Sequence, residues 1–177
     1  MKKNILIYGL IAGAISTGMF LISIPLQQAG YFDPGAGMIV GYTSMVAAFS
    51  MIFFAIKNYR DNHNNGSITF GKGFRIGILI TVIASLVYAA TWEVYFAFKG
   101  EAYTEHYINY MMDELKASGV TGAALDAERA KLEKDFEAYQ HFSVRFGFTI
   151  MEIFPVGLLI TLFTAAILKR RATVSPA

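Results

Sequence analysis

The sequence predicts an all-α integral membrane protein: a four-helix bundle with an extracytoplasmic helical hairpin between spans three and four. Three observations carry that reading. The 177 residues are 55% hydrophobic and 16% charged, with a mean hydropathy of +0.45, whereas a soluble domain carries about 25% charge. The charges gather in islands at 57–75, at 99–145 and at the two termini. Between the islands lie four apolar runs, 5–26, 37–56, 76–98 and 146–168. About 20 apolar residues rising 1.5 Å each cross roughly 30 Å of hydrocarbon, so every run is long enough. Four such runs leave too little polar chain to cover them in water, and a single membrane domain over 1–177 is expected.

The first run has no charge and continues through Pro25 to Leu26. A secretory signal core is shorter, about 7–15 residues, and ends at a small-residue cleavage site, so a retained span is expected. The second run is also uncharged and follows "QQAGYFDPGA" (27–36), which contains no Lys or Arg. The connection after it holds "DNHNNGS", rich in residues that favour turns and left-handed backbone. "FGKGFR" then opens span three, with Lys72 and Arg75 placed to reach toward headgroups. Span three contains one acid, Glu93, and span four contains one, Glu152.

The segment between those two spans reads as two helices. Tyr103, Tyr107, Tyr110, Met111 and Leu115 recur at helical spacing, and so do Leu125, Leu132, Phe136, Tyr139 and Phe146. "SGVTG" (118–122) separates them, with glycines to stop the first helix and Thr121 available to cap the second. The second helix is expected to run on into span four. Its aromatic stripe fits core packing better than a cofactor box, because such stripes are the ordinary amphipathic pattern.

Basic residues beside spans stay on the cytoplasmic side. Lys2 and Lys3, then Lys57, Arg60, Lys72 and Arg75, then Lys169, Arg170 and Arg171 fall on one side of a four-span chain. Both termini are therefore expected in the cytoplasm. The segment 99–145, with six basic residues against nine acids, is expected outside.

Small residues recur at four-residue steps: Gly9 and Gly13, Gly37 and Gly41, Gly73 and Gly77, then Gly157, Thr161 and Ala165. Such spacing lets backbones approach closely in lipid, either within the chain or across a homodimer. "GILIT" (77–81) also resembles "GLLIT" (157–161), on spans that run in opposite directions.

The candidate intramembrane polar site is Glu93 and Glu152, with Trp92, Tyr95 and Pro155 beside them. Glu93 lies 18 residues from Arg75, and Glu152 lies 17 from Lys169, rises of about 27 and 26 Å. Both acids then sit near the outer edge of the hydrocarbon, where Trp92 and Tyr95 are at home. In one reading each carboxylate faces headgroup water or the outer hairpin and takes bonds from Arg145, Lys99 or backbone amides. In the other, both face the bundle interior and bind a proton or cation. Pro155 removes a backbone donor from span four and can kink it.

His106 and His141 are weak metal candidates, since they lack a paired-His spacing. There is no cysteine, which excludes disulfides and thiolate metal sites. No nucleophile elbow, phosphate-binding glycine loop or zinc-protease motif is present. The net charge of +2 is explained by topology and carries no nucleic-acid signature. No cofactor is expected.

"TFGKGFRIGILITVIASLVYAATW" (69–92) and "MEIFPVGLLITLFTAAILKRR" (151–171), with the length and span order, resemble the bacterial membrane-protein family named domain of unknown function 4199 (DUF4199). The resemblance implies this topology and a bacterial inner (cytoplasmic) membrane, and no activity. The function expected is that of a non-enzymatic, multi-pass accessory, assembly or interaction protein whose partners are the lipid bilayer and another membrane protein or a second copy. The alternative is a small transporter or proton/cation-handling protein using Glu93 and Glu152.

Overall fold

The computed structural model describes residues 1–170. Five helices follow in order: α1 (Lys2–Gln28), α2 (Pro34–His63), α3 (Phe70–Ala117), α4 (Ala123–Tyr139) and α5 (Phe142–Leu168). All but α4 are long and apolar enough to cross a membrane. The chain packs as two compact units. The first joins Met1–Tyr88 to the segment from Ile150 onward, and the second is Ala89–Thr149.

The first unit is a helix bundle. α1 runs through Pro25 and ends before Gly30, whose φ of 80° only glycine adopts readily. α2 starts with a signal the sequence analysis passed over. Asp33 caps the helix, accepting from the Ala36 N–H at 2.8 Å, and Pro34 takes the first turn, where its missing N–H costs nothing. Met45, Phe49, Ile52 and Ile56 of α2 are almost fully buried. They pack with Ile76, Ile80 and Ala84 of α3 and Ile153 of α5.

Helices in lipid associate by close packing rather than by hydrophobic burial, so the small residues decide the geometry. A Cβ on Gly9 would lie 2.8 Å from Ile83, and one on Gly13 would lie 2.7 Å from Val87. Gly73 faces Ala165, Gly77 faces Thr161, and Gly157 faces Thr81, so α3 and α5 meet along one four-residue step on each. At the centre of that crossing Thr81 Oγ1 lies 3.2 Å from Thr161 Oγ1. "GILIT" and "GLLIT" therefore pack reciprocally, the glycine of each receiving the threonine of the other. The faces weighed for a homodimer are in these places filled by the chain's own helices. Gly41 is different, with nothing within 4 Å of its Cβ position.

Hydroxyls in spans commonly bond their own helix backbone. Ser44 and Thr81 do so, to the carbonyls of Gly41 and Gly77. Ser16, Thr17 and Ser85 differ, with buried oxygens that have no partner among the described residues.

The three basic places meet at one end of this unit. Asn4 Nδ2 donates to Asn58 Oδ1 at 3.3 Å. Ile68 and Arg170 exchange backbone hydrogen bonds of 2.9 and 2.8 Å. The turn between α2 and α3 uses left-handed backbone at Asn65 and Gly66. Lys72 engages the turn between α2 and α3. Its Nζ donates to Asn64 Oδ1 at 3.2 Å and sits over the Tyr59 ring.

In the second unit, α3 continues without a break from span three to Ala117. Gly119, at φ 92°, stops it. Thr121 does not cap α4; the N-cap is Gly122, at φ 62° and with no side chain to offer. Nor does α4 run on into span four, because it ends at Tyr139 and α5 begins at Phe142. α4 returns along α3, with Tyr107 meeting Phe136 and Phe96 meeting Tyr139.

Candidate functional site

The second unit is organised around a buried arginine. Arg145, on the first turn of α5, is 8% exposed. A guanidinium that is buried needs acceptors, and here each of its three nitrogens has at least one. Its Nε donates to Glu93 Oε1 at 3.1 Å and to Oε2 at 3.0 Å. Its Nη2 donates to Glu93 Oε2. Its Nη1 donates to the carbonyls of Tyr139 and Gln140, at 3.1 and 3.0 Å. Those carbonyls belong to the end of α4, where a helix leaves acceptors unsatisfied and favours a cation.

The plane of the guanidinium covers the Phe96 ring at 4.2 Å, a cation–π contact. Gly100 makes that ring position available, since a Cβ there would lie 2.8 Å from the Phe96 ring. Trp92, 8% exposed, closes the cluster. Its Nε1 donates to the Tyr139 hydroxyl at 2.9 Å. Its ring stacks on Tyr95 and meets Tyr103 edge-on at 5.1 Å.

Of the sequence candidates, Glu93, Trp92 and Tyr95 thus fall in one cluster. The residue that joins them to α4 is Arg145, named beforehand only among three alternative partners for the acids. In the sequence Arg145 is a cation opening an apolar run, a position that Lys99, a cation closing one, matches. Glu152 and Pro155 lie in α5 and are exposed along its side; the helix continues through Pro155. His106 is half-buried on α3, and His141 is exposed in the break before α5. Among the described residues no three His, Asp or Glu side chains are placed to hold a metal ion.

A second feature lies beside the cluster and shares Gln140 with it. It is an open groove lined by Glu101, Thr104, Glu105, Ile108 and Asn109 of α3, together with Arg129 and Gln140.

The comparison with known families turns on the pattern as a whole, and one family model matches residues 7–170. The chain belongs to the DUF4199 family. That family is described as a protein of unknown function, so for this DUF4199 member it supplies kinship without an activity. No curated protein and no solved structure matches the chain.

Proposed function

We propose that this DUF4199 protein is a non-enzymatic accessory or assembly protein of the bacterial inner membrane. It is multi-pass, has both termini in the cytoplasm, and presents the α3–α4 hairpin outside. The observation that carries this reading is the Arg145 clamp. A carboxylate that exchanges protons or cations must be able to release its partner. Glu93 has both oxygens engaged by one guanidinium, an arrangement that anchors α3 to α4 and α5. The orientation draws support from the shared end of the three basic segments, which the positive-inside rule assigns to the cytoplasm.

The transporter alternative rests on Glu152, an acid on a span with no hydrogen bond or ion-pair partner among the described residues.

Photo-cross-linking from the exposed face of α4 in intact cells tests the proposal. A discrete membrane-protein adduct is expected, and it is expected to persist in Glu152→Gln. Proton- or cation-coupled flux in proteoliposomes that vanishes in Glu152→Gln would replace the accessory reading with the transporter.

A further inference from the structure

The groove beside the Arg145 cluster has a volume of 650 Å³ and opens between α3 and α4. Its walls are chemically uneven. Glu101 and Glu105 stand one turn apart on the same face of α3, where like charges repel. Neither has an ion-pair or hydrogen-bond partner among the described residues. Thr104 Oγ1, between them, is shielded and also without a partner. The cation on the opposite wall, Arg129, is held by Glu133 at 2.9 Å, with both side chains about half exposed. Such a pair exchanges partners at little cost.

Two exposed aromatic residues stand close along the chain to residues that line the groove. Phe98, three residues before Glu101, is 81% exposed, and Phe142, two residues after Gln140, is 61% exposed. They end one apolar run and precede the next, the level at which aromatic rings mark the edge of the hydrocarbon. Glu101 and Gln140 therefore fall just beyond the ends of two apolar runs, the level at which acyl chains give way to headgroups.

From this juxtaposition we infer that the groove is a headgroup site for a zwitterionic phospholipid bearing a primary ammonium. The ammonium lies between the carboxylates of Glu101 and Glu105, the phosphate faces Arg129, and the acyl chains lie over Phe98 and Phe142. A primary ammonium has N–H donors for charge-assisted bonds to the carboxylates, whereas a choline group has none. An anionic headgroup meets two unpaired acids. The inference rests on lipid as the solvent of the spans and not on the accessory role proposed above.

Native mass spectrometry of the full chain released from nanodiscs of equal phosphatidylethanolamine and phosphatidylcholine tests it. The chain is expected to retain the ethanolamine lipid in preference by about fivefold or more, the scale of one or two charge-assisted bonds. Glu101→Gln with Glu105→Gln should bring that ratio to near one at unchanged helical content. Arg129→Ala should weaken retention of both lipids alike, because both carry the phosphate. Equal retention by the native chain, or a preference that survives the double substitution, overturns the inference. Displacement of the lipid by soluble phosphoethanolamine would also overturn it, by assigning the groove to a free solute.

Discussion

Arg145 spends all its donating nitrogens on partners inside the protein, and its loss should be felt through each of them. Arg145→Ala leaves a partly buried carboxylate and two helix-end carbonyls without this donor. Removing one partner of a buried pair costs about 3–5 kcal/mol. The thermal midpoint in detergent should fall accordingly, and Trp92, the one tryptophan in the chain, should shift its emission to the red as water reaches it. Glu93→Gln keeps an acceptor and should cost less. The Trp92–Tyr139 bond allows a cleaner measurement. Trp92→Phe and Tyr139→Phe should each lose about 1 kcal/mol from that bond. The double variant should lose little more than either, because the two share one interaction. At this scale the sequence marks Glu93 and Trp92 as unusual. It cannot mark the arginine 52 residues away as the chosen partner, because Lys99 is nearer along the chain and equally cationic. Six residues along one helix put Lys99 on another face from Glu93, which is legible only once α3 is known to continue past the span.

Between helices the decisive contacts are made by what glycine lacks. A Cβ on Gly157 would lie 2.5 Å from Thr81 Cγ2 and 2.8 Å from the Phe49 ring. Gly157→Ala should therefore cost about 1–3 kcal/mol by overpacking. Gly41→Ala, into open space, should stay within about 0.5 kcal/mol of the parent. Denaturation in detergent compares the two, and equal losses would remove close packing as the explanation. The four spans were legible because hydrocarbon demands long uncharged runs, and little else produces them. Helix ends were less so. Nothing in "AFKGEAYTEH" breaks a helix except Gly100, and the backbone passes through it in helical form, so the charge boundary is not a structural one. The break at Gln140 and His141 carries no Gly or Pro to announce it. The repeat "GILIT"/"GLLIT" was visible as letters; its meaning as a reciprocal crossing needed α3 and α5 side by side.

At the scale of the whole chain the open question is which face of the bilayer each end meets. The absence of cysteine makes the answer directly measurable. With single cysteines at Asn65 and Glu128, an impermeant maleimide applied to sealed cells should label Glu128→Cys and spare Asn65→Cys until the membrane is breached. The reverse pattern would invert the topology. α3 bears on the same question. Its 48 residues amount to about 72 Å of helix, against roughly 30 Å of hydrocarbon, so much of it stands clear of the oil. Within the first unit, the tightly meshed threonines of the α3–α5 crossing are where a twist of the apolar half of α3 would first be resisted.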